Sequence, residues 1–363
     1  MKNYGSMIQE ILSIMPAGHS DANINLVKKA LNDTYFEVVM DNNFSFRLVQ
    51  GNLRTTAPYT TGKVATATQN GRSLVGSGTT WTSKMVGRRI RLGDANESYK
   101  IASVESTTGM TLEDKYDGST ITDSVSYSLY KSTYSLKHDF TEALSFKQNE
   151  SPIALGQVKR KTFENVIPNP TGEGTVINYI DSGFTQKSFY STGTVTVSLD
   201  GTTVTGSGTT FDSEMAGMAF RIQGDMVSYN IDSVTGTTAL KLNEGYLGAK
   251  GTTLKYEVNP SGIREVEFYQ IPDDSKNIPY WYYYKPREMV KDWDVPIIQP
   301  DTYHDVIVLG AKARLGLGDP LMFERRRDSL IAADTLNSGV RQRDAFLGGS
   351  LRQSTTLPQN WEQ

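Results

Sequence analysis

The sequence predicts an α+β fold, in which a host domain of helices and strands is interrupted by two homologous, small, all-β modules. Residues 61–130 (module 1) and 192–258 (module 2) repeat one signature, with Gly-Ser-Gly-Thr-Thr starting at Gly76 and again at Gly206. Inside both modules, apolar and polar residues alternate in short runs between glycine clusters, which is typical of strands and turns. Amphipathic helical patterns occur near both ends of the chain.

Each module takes the place of a loop in the host domain. Strand patterns flank both modules, and loops between paired strands accept folded insertions because the two ends of the insert lie close together. From Gly348 onward the chain is rich in Ser, Thr, Gln and Gly, which predicts a flexible tail. The predicted domains are the discontinuous host domain (1–60, 131–191 and 259–346), module 1 (61–130), module 2 (192–258) and the tail (347–363).

The alternation inside the modules predicts a small antiparallel barrel or sandwich for each of them. The Gly-Ser-Gly block resembles a phosphate-binding loop, but it lacks the Lys-Ser/Thr of a P-loop, and no Gly-x-Gly-x-x-Gly pattern leads into a helix. We interpret the block as a glycine turn with positive φ.

The host domain begins with two predicted amphipathic helices. The capping-box spacing from Ser6 to Gln9 predicts the start of the first, and Ser20 or Asp21 that of the second. Strands are predicted over residues 44–49 and 134–140, on either side of module 1.

Two more helices are predicted near the C-terminal end of the host domain. Asp301 or Thr302 caps the first of them, and Gly316-Leu317-Gly318 ends it. Asp319-Pro320 then starts the second, with a preferred cap and a first-turn proline. The apolar stripe of the first of these helices is Tyr303, Val306, Ile307, Gly310, Ala313 and Leu317.

The composition bounds the chemistry of the chain. Its 363 residues allow two or three domains, and a net charge of -3 leaves no global footprint for tight nucleic-acid binding. The absence of cysteine excludes disulfides, thiolate nucleophiles and cysteine-ligated metal sites. No stretch has the apolar length of a signal peptide core or a membrane span, so we expect synthesis in the cytoplasm and no membrane partner.

No catalytic, metal or cofactor site is predicted. The three histidines, His19, His138 and His304, have no second ligand at metal-binding spacing. There is no Gly-x-Ser-x-Gly elbow and no identifiable pair of acid/base carboxylates. We therefore expect a protein that is not an enzyme.

The order of the host elements carries a family resemblance. Two amphipathic helices, a strand pair and the strand at Asn178-Tyr179 are followed by four motifs, at residues 268–273, 282–285, 292–296 and 303–311. This order resembles the head-to-tail adaptor (connector) proteins of tailed bacteriophages, and residues 269–313 are the most specific part. The Gly-Ser-Gly-Thr-Thr modules look like β modules appended to virion proteins of such phages.

The resemblance implies a structural virion protein that forms a ring at the head-to-tail junction, twelve-fold in most such families. Identical subunits would dock below the portal protein and contact other neck or tail proteins, and the genome would pass through their channel. A mildly acidic chain would touch the passing DNA only non-specifically. The two long insertions depart from a compact adaptor and leave a neck-decorating or tail-proximal role open.

Several residues are candidates for the interfaces of such a ring. Helices with small residues pack closely within or between subunits, and we expect the tail after Phe346 to order against the portal or a neighbour. The candidate interface residues are Tyr303, Val306, Gly310, Ala313, Arg325, Arg326, Arg327, Phe346 and Trp361.

Charged and aromatic runs have two interpretations each. The basic runs at residues 159–161, 325–327 and 88–91 are solvated faces or intersubunit ion pairs, or they contact DNA or an acidic portal surface. The aromatic run at 280–284 fills a core and a subunit interface, or it is a stacking platform for sugars or bases.

Two other functions compete with the ring. In the first, the chain is a tail or surface protein whose β repeats bind glycan on the host cell. In the second, which lacks an identifiable carboxylate pair, it is a glycan hydrolase built on β domains.

Overall fold

The computed structural model describes residues 2–16, 19–93, 97–148, 154–166, 172–185, 190–212, 215–225, 227–258 and 263–350, with side chains only as far as residue 335 in the last range. The chain mixes α-helices and β-strands, as predicted. It forms two compact units. We call Met1–Val49 with Tyr283–Gln363 the helical unit, and Gln50–Tyr282 the β unit.

The described residues contain helices at both ends of the chain, with strands and one short helix between them. The helices are α1 (Tyr4–Leu12), α2 (Asp21–Met40), α3 (Arg160–Val166), α4 (Asp305–Arg314) and α5 (Pro320–Ser350). Short 3-10 turns span Ser45–Arg47, Ser83–Met85 and Asp301–Tyr303.

The strands fall into host strands and module strands. The host strands are β1 (Leu48–Arg54), β8 (Thr133–Ser135), β9 (Phe140–Phe146), β10 (Gly156–Gln157), β11 (Glu173–Gly174), β12 (Asn178–Thr185), β20 (Ile263–Tyr269), β21 (Ile271–Pro272) and β22 (Asn277–Tyr284). The strands of module 1 are β2 (Lys63–Ala67), β3 (Ser73–Ser77), β4 (Arg89–Leu92), β5 (Ser98–Ser106), β6 (Gly109–Leu112) and β7 (Tyr127–Tyr130). Those of module 2 are β13 (Thr194–Val197), β14 (Thr203–Ser207), β15 (Ala219–Ile222), β16 (Tyr229–Gly236), β17 (Ala239–Leu242), β18 (Gly251–Leu254) and β19 (Tyr256–Val258).

The start of α1 differs from the predicted start at Ser6. Asn3 is the N-cap, and its side chain accepts a hydrogen bond from the Ser6 backbone N–H at 2.9 Å. The Ser6 hydroxyl donates back to the Asn3 carbonyl oxygen at 2.7 Å. Asn is as good a cap as Ser, so the earlier residue takes the role. The predicted cap of α2 is confirmed, because Ser20 accepts from the Asn23 backbone N–H.

The predicted strand over residues 44–49 is wrong for its first four residues. The chain makes a 3-10 turn at Ser45–Arg47, and β1 starts at Leu48. Arg47 is 1% exposed, and its guanidinium donates to the backbone oxygens of Val39, Asn42 and Tyr284. These bonds satisfy carbonyls at the end of α2 and hold the chain in a turn there.

The core of the helical unit combines helices from both ends of the chain. Gly310 of α4 lies against Thr34 of α2 and Phe323 of α5, so closely that a Cβ at Gly310 would lie 2.4 Å from Thr34 Cγ2. The fully buried core residues include Met7, Ile11, Val27, Leu31, Val38, Val39, Ile298, Val306, Ile307, Ala311 and Leu330.

The boundary between α4 and α5 follows the prediction. Gly316 has a φ of +71°, which suits a helix end, and the Asp319 carboxylate accepts from the Leu321 backbone N–H at 3.0 Å. Helix α5 continues to Ser350, so residues 347–350 of the predicted flexible tail are helical. Residues 351–363 lie outside the described residues.

Each module is a closed, antiparallel sheet. Module 1 has the strand order β2-β3-β6-β5-β4-β7, and module 2 has β18-β13-β14-β17-β16-β15-β19. In module 2, β18 pairs with β13 and the next strand, β19, pairs with β15, so one stretch of chain joins the two edges. In module 1 the bridges from Val125 to Val64 and from Ile121 to Ala67 join the chain before β7 to β2, so the two edges of that sheet also meet. The structure thus contains two all-β sheets with equivalent strand orders, at the positions where the sequence predicts the two modules.

The two modules share details of their backbones. Strand pair β5–β6 has register shifts between Ile101 and Ser103 and between Val104 and Ser106. Strand pair β16–β17 has them between the corresponding residues of module 2. Both modules also begin before the predicted boundaries, because Tyr59 bridges to Leu129 and Tyr190 bridges to Val258.

The host strands of the β unit pack around an aromatic cluster. They form a sheet of order β1-β22-β9, a sheet of order β10-β12-β20-β8 and a two-stranded sheet of β11 and β21. The Phe146 ring on β9 connects them, since its centroid lies 4.5 Å from that of Tyr179 on β12 and 5.0 Å from that of Tyr280 on β22. The residues assigned to the host domain are thus found in both units.

The predicted strand over residues 134–140 is split into β8 and β9. The connecting loop is fixed by side-chain contacts, since His138 Nδ1 hydrogen-bonds Asn230 Oδ1 and the Tyr282 hydroxyl donates to Asp139 at 3.1 Å. These tertiary contacts override the local alternation of apolar residues.

Candidate functional site

Arg326 of α5 is tied to the start of α4. Its guanidinium carbon lies 4.3 Å from the centroid of the Tyr303 ring, and Nε lies 3.0 Å from Asp305 Oδ1. Nη2 donates to the Thr302 carbonyl oxygen at 2.8 Å, and the Tyr303 hydroxyl lies 3.2 Å from Ser329 Oγ. The structure therefore brings two of the candidate interface residues, Tyr303 and Arg326, into one cluster within the helical unit.

The other two arginines of the triplet point in different directions. Arg327 is half-buried, with its guanidinium over the Phe323 ring and Nε 3.9 Å from Asp41. Arg325 is exposed and forms no ion pair with the described residues. Of the three, Arg325 is thus the one whose charge is directed to solvent.

The small-residue stripe of α4 packs inside the helical unit. Val306 is fully buried in its core, and Gly310 is the point of closest approach to α2 and α5. Ala313 is half-buried. The Phe346 side chain and Trp361 lie outside the described residues.

Of the exposed large apolar side chains in the described part of the helical unit, Trp293, Leu321 and Met322 are the three most exposed, and none of them was among the candidate interface residues. Trp293 is 65% exposed, Leu321 58% and Met322 54%. Leu321 and Met322 lie at the start of α5, off the stripe that buries Phe323 and Leu330. Their departure from helical periodicity was a signal present in the sequence.

Trp293 projects from a loop that is held by a buried carboxylate. Asp294 is 7% exposed and accepts hydrogen bonds from the backbone N–H groups of Val290 and Lys291, at 2.7 and 2.9 Å. Arg287 adds a two-armed contact to the same carboxylate. The exposed indole is thus presented on an ordered backbone, as an interface anchor requires.

The Gly-Ser-Gly-Thr-Thr block builds the same turn in both modules. Gly78 and Gly208 both have a φ of +68°, as the sequence predicted. The Thr79 hydroxyl donates to the Thr107 carbonyl oxygen at 2.8 Å, and Thr209 makes the corresponding bond to Thr237 at 2.9 Å. These bonds satisfy a carbonyl in a neighbouring hairpin, so the geometry that the two turns share has a structural cause.

A tyrosine closes each turn from the module entrance. The Thr80 backbone N–H donates to the Tyr59 hydroxyl at 3.0 Å, and the Thr210 N–H donates to the Tyr190 hydroxyl. Deeper in module 1, burial raises the pKa of Tyr127 to about 12. The neutral phenol acts as both hydrogen-bond acceptor and donor, since its hydroxyl accepts from Trp81 Nε1 and donates to the Thr61 carbonyl oxygen.

The modules differ in surface charge at one strand. Arg88 and Arg89 of module 1 correspond to Met218 and Ala219 of module 2. Arg91 approaches Glu173 at 3.3 Å, and Lys84 approaches Asp212 of module 2 at 3.9 Å. One arginine of the basic run at 88–91, Arg91, therefore forms an ion pair within the β unit.

The surfaces of the modules carry few apolar platforms. Their described tryptophan, phenylalanine and tyrosine side chains are buried or half-buried. The exposed large apolar residues in the described parts of the modules are aliphatic: Val75, Val86 and Leu199.

The histidines have structural contacts. His304 is 1% exposed, with its ring nitrogens 3.2 and 3.0 Å from the carbonyl oxygens of Lys2 and Ile298. His19 Nε2 lies 3.0 Å from Gln9 Oε1. Within the described ranges, no group of three or more His, Asp or Glu side chains is arranged to hold a metal ion. No described helix has the length and apolar character needed to cross a membrane.

Comparison of the chain with protein-family models and with curated proteins found no match to either.

Proposed function

We propose that this chain is a structural virion protein of a tailed bacteriophage, which assembles into a homo-oligomeric ring at the head-to-tail junction. The observation that carries the proposal is the exposure of Trp293, Leu321 and Met322 on ordered backbone of the helical unit. Leu321 and Met322 are consecutive residues of α5, and contiguous exposed apolar surface marks sites of association. The resemblance of the host elements to connector proteins supplies the context, with the portal and other neck or tail proteins as partners.

The dimensions of α5 support assembly through the helical unit. At about 1.5 Å per residue, a helix over Pro320–Ser350 is roughly 46 Å long. The Asp334 carboxylate of this helix accepts a hydrogen bond from the Ser45 hydroxyl at 2.6 Å, which anchors α5 to the turn that follows α2. Arg325 adds an exposed charge to the same helix, suited to an ion pair with a neighbouring subunit or with an acidic portal surface.

The mass of the purified protein, alone and mixed with portal, tests the proposal. We expect assemblies near twelve subunits, either spontaneously or on addition of portal. The double variant Leu321→Ser with Trp293→Ser should remain folded and lose assembly. The matched control is Ile177→Ser, which changes a side chain of the β unit that is 51% exposed and should assemble normally. A chain that stays monomeric under both conditions, or a stable trimer, would contradict the proposal.

A further inference from the structure

A polar cleft of about 450 Å³ opens beside the neighbouring strands β1 and β22 of the β unit. Along β1 the side chains of Gln50 and Asn52 are exposed, and along β22 Asn277 and Trp281 are exposed and Pro279 is half-buried, while the alternate residues Gly51, Ile278 and Tyr280 are buried. The cleft therefore lies on the outer face of this sheet. Its lining residues are Gln50, Gly51, Asn52, Lys137, Asn277 and Pro279.

The backbone beneath the cleft is fixed by Gly51. A Cβ at this position would lie 2.3 Å from Cζ of Tyr280, so glycine allows β1 to lie directly on the buried Tyr280 ring. Tyr280 is 2% exposed and belongs to the aromatic cluster of the host strands. The strands that carry the lining side chains are thus held on a packed core, as a preorganised site needs.

Three carboxamides line the cleft. The side chains of Gln50, Asn52 and Asn277 are exposed and make no hydrogen bond to any described residue. Each offers an N–H₂ group with two donors and a carbonyl acceptor. A set of neighbouring amides can pair with vicinal hydroxyl groups, which both donate and accept.

Lys137 supplies one positive charge at the edge of the cleft. Its Cγ lies 3.9 Å from the place that a Cβ on Gly217 of module 2 would occupy, so the stem of the side chain rests on that turn. The ammonium group forms no ion pair with the described residues. It is therefore available to an anionic group of a ligand.

An apolar wall completes the surface. Pro279 lines the cleft, and Trp281 follows two residues later on the same face of β22, about 7 Å along the strand. Trp281 is 43% exposed, whereas Tyr280 and Tyr282 on either side are buried. A Pro ring and an indole face offer flat apolar contact to the C–H face of a sugar ring.

We propose that this cleft binds an acidic saccharide, a chain of sugars that contain uronic acid. The carboxamides bond the hydroxyl groups, Lys137 holds the carboxylate, and Pro279 with Trp281 contacts the apolar face of the ring. One cation among neutral amides suits one carboxylate per sugar better than the closely spaced phosphates of a nucleic acid, which require several cations. The proposal does not depend on ring formation.

The test uses the full chain and two probes, a trimer of galacturonic acid and the neutral galactose trimer of the same linkage. Calorimetry and tryptophan fluorescence follow binding. We expect the acidic trimer to bind about tenfold more tightly than the neutral one at low salt, the factor that one charge-assisted contact supplies. Lys137→Met should remove this preference and leave neutral binding unchanged.

Variants of the apolar wall and the amides complete the test. Trp281→Phe should abolish the fluorescence response, and the double change of Gln50→Ala with Asn52→Ala should weaken both probes by about tenfold or more. The matched control is Trp293→Phe, an exposed tryptophan in the helical unit, which should bind as the parent does. Circular dichroism verifies that the variants are folded. Absence of binding up to about 10 mM, a full fluorescence response in Trp281→Phe, or equal binding of the two probes would overturn the proposal.

Discussion

Trp81 Nε1 donates a hydrogen bond of 3.0 Å to the hydroxyl of Tyr127 in the core of module 1. That hydroxyl in turn donates to the Thr61 carbonyl oxygen at 2.6 Å, so the two side chains link the signature block to the module entrance. In module 2, Phe211 stands in place of Trp81 and offers no N–H donor, and the Tyr256 hydroxyl donates to the Thr192 carbonyl oxygen at 2.6 Å. The two modules therefore contain the same network, with the tryptophan N–H donor in module 1 and without it in module 2.

The first prediction concerns this bond. Trp81→Phe should leave module 1 folded, because module 2 has phenylalanine there, and should lower its stability by about 1–2 kcal/mol through the lost bond and smaller ring. Hydrogen exchange of the module 1 amides in the full chain measures the change. In a double-mutant cycle with Tyr127→Phe, the two substitutions should couple by about 0.5–1.5 kcal/mol. Additive effects would show that the bond contributes nothing.

The second prediction tests the glycine turns. Gly78→Ala and Gly208→Ala should each destabilise their own module by about 1–2 kcal/mol, because both glycines have a φ of +68°. Gly236→Ala is the control in module 2, since a Cβ there meets nothing within 4 Å. Thermal denaturation and local hydrogen exchange give the comparison. Equal effects at Gly208 and Gly236 would contradict the conformational explanation.

The third prediction tests the packing of α4. An alanine normally favours a helix by about 0.5–1 kcal/mol over glycine, but Gly310→Ala should destabilise the helical unit by about 1–3 kcal/mol through overpacking. The Cβ would lie 2.4 Å from Thr34 Cγ2. Thr34→Ser removes that methyl group, so the double variant should be more stable than Gly310→Ala alone in urea denaturation. A Gly310→Ala protein as stable as the parent would show that the helices move apart without cost.

The fourth prediction concerns pH. Burial acts to raise the pKa of Glu10, but the hydrogen bonds and charges of Lys2 and Lys312 outweigh it and hold the pKa below its ordinary value of 4.5. A depressed pKa stabilises the fold above pH 4.5, and this contribution is lost as the pH falls through the folded-state pKa.

Glu10→Gln should therefore lower the stability of the helical unit at pH 7 by about 0.5–1 kcal/mol, as expected for a partly exposed ion pair. The difference from the parent should shrink as the pH falls below 4.5. Glu324→Gln, at an exposed position of α5, serves as the control in melting curves recorded across the pH range. A constant difference at all pH values would show that the effect is not ionic.

Local sequence patterns correctly predicted the helix starts and turn conformations that depend on neighbouring residues. The start of α2 at Ser20, the start of α5 after Asp319 and the positive φ of Gly78 all depend on residues within one turn of the chain. The repeat likewise predicted that both modules have one fold.

Contacts between distant residues decided the features that the sequence predicted wrongly or did not predict. Residues 44–49 alternate like a strand, but the burial of Arg47 against the carbonyl of Tyr284 produces a turn. The polar cleft beside β1 and β22 joins Gln50 to Asn277, residues that no periodicity connects. Such sites depend on strand pairing, which a local pattern does not specify.

The helical unit combines Met1–Val49 with Tyr283–Gln363, so its two parts are synthesised at different times. On the ribosome, α1 and α2 emerge early but must wait for α4 and α5, on the order of tens of seconds at ordinary elongation rates. The β unit is continuous along the chain, so it can fold during that interval. The nascent protein thus keeps the apolar faces of its first two helices uncovered until α4 and α5 have been synthesised, and a chaperone that binds apolar surface would find a target there.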